Sequence, residues 1–179
     1  MDFTVRRIEA SDHAQGFDCG NPQLNEFLRS QAKQLQRRMF GVTYVAVSLH
    51  HSPHKVIGYF TLANTSIPRD GLPESLLKKI PRYQGLPAFL LARLAVDKEY
   101  HGKKIGEFLL SRCLEYCIAI SKCSGGRFLI ADAKDSAVTW YERFNFQRIG
   151  GGLSPNSTKM FIDLEIVKLA MERRDVGTP

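Results

Sequence analysis

The 179-residue chain has a formal net charge of +7, with 44% hydrophobic and 24% charged residues, an ordinary composition for a soluble globular protein. Its longest apolar runs, such as residues 88–92, are too short to span a bilayer, and its N-terminus lacks the apolar core of a signal peptide. We therefore expect a single cytoplasmic domain over residues 1–179 without a membrane partner, and the positive charge favours an anionic partner.

The first predicted elements are a strand over residues 3–8 and a long helix. Asn21 followed by Pro22 is typical of a helix start, because Asn caps the free N–H groups and Pro needs none at the first helical position. The helix is predicted to reach about Phe40. Its inward residues are expected to be Leu24, Phe27, Leu28 and Leu35.

Two strands rich in β-branched and aromatic residues, at 42–49 and 55–64, predict a hairpin. Its turn contains His50, His51 and His54, which we interpret as a solvated connection rather than a metal site. Residues 65–87 carry four prolines and two glycines and predict a long excursion with one short helix. The apolar run at 88–96 then predicts a central strand that is buried on both faces.

A helix begins near Lys104 and carries an apolar stripe. We expect its cysteines to pack in the core rather than to bind metal. The stripe consists of Ile105, Phe108, Leu109, Cys113, Tyr116, Cys117 and Ile120. Further strands are predicted at 127–133, 146–150 and 158–164, with a helix at 135–144, and residues 172–179 resemble a frayed tail.

The turn between the strand at 88–96 and the next helix is a candidate anion site. A helix start presents free N–H groups and a positive dipole end, and Gly102 and Gly106 allow a phosphate to approach the backbone. Lys103 and Lys104 add formal charge. The local spacing alone does not distinguish this site from an ordinary basic helix start.

The wider context resembles two signatures of the GNAT acetyltransferase superfamily. In "LARLAVDKEYHGKKIGEFLL", His101 occupies a Gln/Arg position, Lys104 a glycine position and Gly106 the last glycine. In "DAKDSAVTWYERFNF", Asn145 replaces a glycine where a left-handed turn is needed. The resemblance implies an α/β (α+β) fold, with a mixed, mostly antiparallel sheet of six to seven strands flanked by about four helices.

The same resemblance implies acetyl-CoA as cosubstrate and Tyr141 as the acid that protonates the departing CoA thiolate. The strand at 94–96 would pair with the pantetheine arm and the turn would hold the pyrophosphate. The implied cofactor-binding residues are Leu94, Ala95, Val96, His101, Gly102, Lys103, Lys104, Ile105, Gly106, Glu107, Asp135 and Ala137. No metal is implied.

About 150 residues in the same order are similar to the GNAT toxins of bacterial type II toxin–antitoxin modules. That subgroup acetylates the α-amino group of aminoacyl-tRNA and blocks translation, pairs with ribbon-helix-helix antitoxins that contact DNA, and forms homodimers. The absence of an evident general base fits an α-amino acceptor, whose pKa of about 8 already leaves a neutral fraction at neutral pH.

Two basic clusters are candidate tRNA contacts, with solvated surfaces as the alternative. Their residues are Arg29, Lys33 and Arg37 on the first helix, and Lys78, Lys79 and Arg82 in the excursion, with Arg93 beside them. Two other functions stay open from the sequence. One is acetylation of a small amine or protein amine, and the other is a non-catalytic CoA- or RNA-binding module.

Overall fold

The computed structural model describes residues 2–49, 55–154 and 157–176. Seven strands form one mixed, mostly antiparallel sheet in the order β1-β2-β3-β4-β5-β7-β6, so β4 takes the predicted central position. The strands are β1 (Phe3–Arg7), β2 (Val42–Ser48), β3 (Val56–Pro68), β4 (Gly85–Val96), β5 (Phe128–Lys134), β6 (Gln147–Ser154) and β7 (Ser157–Asp163). The predicted fold class is confirmed, while the histidine-rich turn lies outside the described residues.

The pairing follows the sequence signals. β2 pairs antiparallel with β1 and with β3, which confirms the predicted hairpin. β7 likewise lies antiparallel to both β5 and β6. β3 continues to Pro68, into the part of the chain predicted as an irregular excursion. Its rigid extended backbone therefore carries the start of that excursion.

The helices differ more from the prediction. They are α1 (Pro22–Glu26), α2 (Ala32–Arg37), α3 (Glu74–Leu77), α4 (Ile105–Ser124), α5 (Asp135–Glu142) and α6 (Leu164–Val176). Asn21 caps α1 as predicted, because its side-chain oxygen accepts from the N–H groups of Gln23 and Leu24. A π-helical segment, Phe27–Gln31, separates α1 from α2 and interrupts the single regular helix that was expected.

Helix α6 was not predicted, and it includes residues 172–176 of the expected frayed tail. Ile166 and Leu169 on this helix are 59% and 48% exposed, so the sequence has no continuous buried stripe to indicate a helix. Within residues 2–49, 55–154 and 157–176, no helix has the length and apolar character needed to cross a membrane.

Helix α4 confirms part of its predicted stripe. Cys113 and Cys117 are fully buried, in agreement with their interpretation as core residues. The prediction was wrong for Phe108 and Ile120, which are 45% and 37% exposed, because the buried face is rotated toward two leucines of the same helix. Those leucines are Leu110 and Leu114.

The chain divides into two compact units, each built from two stretches of sequence. Unit 1 comprises residues 1–63 and 91–113, and unit 2 comprises residues 64–90 and 114–179. In unit 1, the core includes Phe27 and Leu28 with the fully buried ring of Tyr59, whose hydroxyl donates to the carbonyl of Leu24 at 2.8 Å. In unit 2, the core includes Ile67, Phe128, Ile130 and Phe161. The single-domain assignment over residues 1–179 stays a prediction.

A bidentate ion pair fixes the loop after β1. The two terminal nitrogens of Arg6 each donate to a carboxylate oxygen of Asp12 at 2.7 Å, and the backbone N–H of Glu9 donates to the same carboxylate at 2.8 Å. The Asp12 side chain is only 3% exposed. Burial by itself raises the pKa of Asp12, but the hydrogen bonds from Arg6 and Glu9 outweigh it, and the net pKa is lowered.

Asp12→Asn should lower the free energy of unfolding by about 2 kcal/mol at pH 7, because it leaves the Arg6 guanidinium without its partner. The folded-state pKa of Asp12 is depressed, so its contribution is present above the ordinary aspartate pKa of about 3.9 and is lost as the pH falls below it. Denaturant unfolding at pH 7 and at pH 3 should therefore show that acid lowers the free energy of unfolding less in the variant than in the wild type. An equal decrease in the two proteins would contradict the stabilising role of Asp12.

Candidate active site

A buried carboxylate organises the end of β4 in unit 1. Asp97 is 2% exposed and accepts hydrogen bonds from the N–H groups of Asp18 at 3.1 Å and Glu99 at 3.0 Å. Its own N–H donates to the carbonyl of Ile57 on β3 at 2.9 Å. Asp97 thereby caps the 3₁₀ turn Lys98–Tyr100 and joins the loop before α1 to the end of the strand.

Asp18 forms the second half of this connection. Its carboxylate accepts from the N–H of Gly20 and from the side-chain amide of Asn25, both at 2.9 Å, and pairs with the Lys98 ammonium at 2.6 Å. The contact with Lys98, followed by those with Gly20 and Asn25, lowers the pKa of Asp18 well below its usual range. The loop before α1 and the turn after β4 therefore form one hydrogen-bonded assembly in unit 1.

The candidate phosphate turn follows directly. Gly102 and Lys104 both have positive φ angles, +74° and +59°, and α4 begins at Ile105. Lys104 therefore adopts a left-handed conformation, at a position where the family signature has a glycine. His101 to Lys104 are exposed, which leaves the backbone at the start of the 20-residue helix accessible to an anion.

The side chain of His101 stabilises the turn through a hydrogen bond. Its Nε2 lies 2.9 Å from the carbonyl oxygen of Val96. Because a carbonyl only accepts, Nε2 carries the hydrogen and donates it. The Lys103 ammonium lies 4.8 Å from the centre of the Tyr100 ring, a cation–π contact that holds this side chain beside the turn.

The other predicted cofactor residues differ in accessibility. Leu94, Val96, Gly106 and Glu107 are partly buried. Ala95 and Ile105 are 7% and 2% exposed and pack inside unit 1, so only their backbone atoms could meet a ligand. Asp135 is exposed at the start of α5, and Ala137, two residues later, is partly buried.

Tyr141 lies on α5 in unit 2 and is 8% exposed. Its ring packs edge-on against Trp140 at 4.9 Å and Phe146 at 5.1 Å. Three residues after the end of α5, Asn145 has a φ of +63°, which confirms the predicted left-handed turn. The N–H of Phe146 then donates to the carbonyl of Tyr141 at 3.2 Å, so the turn also fixes the backbone of the tyrosine.

The basic residues of the first helix have structural contacts that sequence spacing did not show. Arg29 donates to the carbonyl of Phe17 at 2.6 Å, and Lys33 donates to the carbonyls of Ala10 and Asp12 at 2.9 and 2.6 Å. The Arg93 guanidinium stacks 3.6 Å from the Phe27 ring centre. By contrast, the cluster of Lys78, Lys79 and Arg82 is exposed. Arg29 and Lys33 therefore also hold loop carbonyls, and the use of the basic ridge by tRNA stays a prediction.

Unit 2 contains an open cavity of about 650 Å³ that sequence reasoning missed. Its volume falls within the roughly 300–1,000 Å³ typical of small-molecule sites. The apolar lining consists of Ile67, Pro68, Leu90, Ile130 and Ile149, and the charged lining consists of Asp70, Asp132 and Lys159. The alternation of side chains along β5 places Asp132 on the same face as Ile130. This alternation is the sequence signal that could have indicated the cavity.

Comparison with known proteins identifies the family. Residues 41–148 match the model of an acetyltransferase (GNAT) domain. The chain belongs to the GNAT acetyltransferase family. As a member of this family it uses acetyl-CoA, and the exposed turn with Gly102 and Lys104 at the start of α4 fits the pyrophosphate of that cosubstrate.

The relatives include a tRNA-acetylating toxin of Mycobacterium tuberculosis, 29% identical over 143 residues that make up 79% of this chain and 82% of that protein. Among solved structures, a tyrosine-to-phenylalanine variant of KacT is 29% identical with a TM-score of 0.86. AtaT in complex with acetyl-methionyl-tRNAfMet is 27% identical with a TM-score of 0.86. Both alignments cover 95% of this chain and 99% of the other.

Two more solved structures show assemblies of such proteins. AtaTR bound with acetyl-CoA is 25% identical with a TM-score of 0.80, covering 95% of this chain and 98% of the other. An AtaT tyrosine-to-phenylalanine variant bound to the C-terminus of the antitoxin AtaR is 23% identical with a TM-score of 0.79, again covering 95% and 98%. At 23% identity, the similarity to this AtaT variant shows a shared fold alone.

Lys104→Gly should keep the free energy of unfolding within about 1 kcal/mol or raise it, because relief of the left-handed cost offsets the added flexibility of glycine. Lys104→Val should lower it by more than about 1 kcal/mol, since a β-branched residue tolerates positive φ poorly. Chemical denaturation measures both. The KM for acetyl-CoA should change less than about threefold in the glycine variant. A large rise there would show that the lysine side chain itself binds the cosubstrate.

Proposed function

We propose that this protein transfers the acetyl group of acetyl-CoA to the α-amino group of aminoacyl-tRNA and acts as a translation-blocking toxin. One observation carries the proposal. The chain aligns over 95% of its length with AtaT bound to acetyl-methionyl-tRNAfMet, at a TM-score of 0.86. The similarity to the tRNA-acetylating toxin of Mycobacterium tuberculosis, over 79% of this chain, supports it independently.

The turn from His101 to Glu107 is proposed to hold the pyrophosphate through backbone N–H groups at the start of α4. Two features support this role. Gly102 has no heavy atom within 4 Å of the place where a Cβ would stand, so the backbone there is open to a ligand. Lys103 and Lys104 are both exposed and add positive charge. The Asp97 and Asp18 contacts would keep this turn in position when it is empty.

Tyr141 is proposed as the catalytic acid. The amine nitrogen attacks the thioester carbonyl carbon, a C–N bond forms, and the C–S bond breaks. The nitrogen loses a proton to solvent, and the departing thiolate takes a proton from the Tyr141 hydroxyl, which solvent then replenishes. The edge-on contacts with Trp140 and Phe146 fix the direction of the tyrosine ring.

The exposed cluster Lys78, Lys79 and Arg82 is proposed as the principal phosphate contact of tRNA. These side chains form no hydrogen bond or ion pair with other residues in the described part of the chain, so their charge is available to a polyanion. Arg37 is also exposed, whereas Arg29, Lys33 and Arg93 would contribute only their remaining donors.

The proposed partners are aminoacyl-tRNA, a ribbon-helix-helix antitoxin that contacts DNA, and a second copy of the chain, in the cytoplasm. The solved KacTA–DNA complex, 25% identical to this chain with a TM-score of 0.77, supports a DNA-contacting partner by analogy. Met39 and Phe40 expose 92% and 69% of their surface. Adjacent large apolar side chains so exposed support a protein contact at this place on unit 1.

Tyr141→Phe should lower kcat for aminoacyl-tRNA by about 10²- to 10³-fold, the usual contribution of a positioned acid, while acetyl-CoA binding stays within about twofold. Tyr83→Phe, in an exposed loop position, is the matched control and should keep the wild-type rate. Acetylation assays with labelled acetyl-CoA and calorimetry provide the two measurements. An undiminished rate in Tyr141→Phe would overturn the catalytic assignment.

Reversing Lys78, Lys79 and Arg82 to Glu should raise the KM for aminoacyl-tRNA at least about tenfold and make its dependence on salt shallower. Lys122→Glu on α4 is the control for added negative charge. Reversing Arg29 and Lys33 should instead lower the melting temperature, because both donate to backbone carbonyls of the loop before α1. An unchanged KM in the triple variant would mean that tRNA binds elsewhere.

A further inference from the structure

The cavity of unit 2 contains a pair of opposite charges that neither the fold nor the proposed phosphate contacts require. Asp132 on β5 and Lys159 on β7 are directly opposite in the antiparallel register. Directly opposed residues have Cβ atoms about 4.5–5.5 Å apart, so the two side chains begin at neighbouring points of the cavity wall. Both side chains are exposed to the cavity and the solvent.

These two groups are available to a ligand. In the described part of the chain, neither Asp132 nor Lys159 makes a side-chain hydrogen bond or an ion pair. Some other ionic groups of unit 2 have structural partners. Arg127, for example, donates to Asp163 at 2.9 Å and also pairs with Glu165, which holds the end of β7. Asp132 and Lys159 have no such partner among the described residues, so neither charge is used to hold a strand in place.

The remainder of the cavity is apolar. Ile67 is fully buried and Ile130 is 6% exposed, and they form its floor, while Leu90 and Ile149 are partly buried beside them. A ligand that matches this lining needs a cationic or N–H donor end, an acceptor beside it and an apolar side chain. An α-amino ester with an apolar side chain has these three features on neighbouring atoms.

We propose that this cavity binds the aminoacyl end of the acceptor, with Asp132 accepting a hydrogen bond from the α-amino group and Lys159 donating to the ester carbonyl oxygen. The inference rests on the proposed function and specifies its acceptor site. The Asp132 carboxylate attracts the ammonium form from solution and orients the nitrogen after it has lost a proton to solvent. The apolar floor favours leucyl, isoleucyl and methionyl groups over acidic or basic ones.

Tyr141 belongs to the same unit as the cavity. β5 carries Asp132, and α5 begins at Asp135 immediately after this strand and carries Tyr141 one and a half turns later. The amine-binding group and the proposed acid therefore sit on consecutive elements. A short connection between a strand and a helix keeps the relative position of two functional side chains constant.

Kinetics with aminoacyl-tRNA test the site first. Asp132→Asn should lower kcat/KM for leucyl-tRNA at least tenfold, and Lys159→Met at least threefold, while the KM for acetyl-CoA changes less than twofold. Glu74→Gln and Lys122→Met are matched controls, because each makes the same change of charge on the surface of unit 2 outside the cavity, and both should keep wild-type values. Unchanged kcat/KM in Asp132→Asn would overturn the site and leave the proposed function standing.

Binding of small probes separates the site from the tRNA reaction. Leucinamide should bind the wild-type protein at least tenfold more tightly than its deamino analogue 4-methylpentanamide, as measured by NMR titration, and Asp132→Asn should abolish that difference. Equal binding of the two amides by the wild type would overturn the inference. If the wild type shows the Asp132-dependent difference but does not acetylate leucyl-tRNA, the site stands and the tRNA function falls.

Discussion

The Asp97 carboxylate, placed at the end of the central strand, is the interaction on which the candidate phosphate turn depends. It is buried and accepts two backbone N–H groups, one from the loop before α1 and one from the turn after β4. A buried carboxylate must be satisfied in this way, because an unpaired charge in the interior is costly. The loop before α1, the end of β4 and the turn that follows it are consequently fixed together by hydrogen bonds.

The sequence predicted the strands better than the helices. All seven strands are present because period-2 patterns and β-branched runs are local signals, and the apolar run at 88–96 indicated the central β4 correctly. The π-helical segment at Phe27–Gln31 and helix α6 escaped prediction. Helix α6 has an N-terminal cap, since Asp163 accepts from the N–H of Glu165 at 3.0 Å, but it has no continuous apolar stripe to indicate its length.

The candidate site was likewise predicted only in part. The left-handed conformation of Asn145 was predicted from its place in a local signature, and Lys104, at a glycine position of the other signature, has the same conformation. The contacts of Arg29 and Lys33 with loop carbonyls, and the placement of Asp132 opposite Lys159, each join residues far apart in the chain. No local pattern determines such contacts, because they depend on which strands and loops become neighbours.

The discontinuous make-up of the two units has a consequence for synthesis of the chain on the ribosome. Unit 1 begins at the N-terminus but needs residues 91–113 to be complete, and unit 2 interrupts it with residues 64–90 and then extends to the C-terminus. Strands β1 and β2 therefore leave the exit tunnel long before β4 and α4 can cover them. Unit 1 can therefore complete its fold only after residues 64–90 of unit 2 have been synthesised, so the order of synthesis differs from the order in which the units become complete.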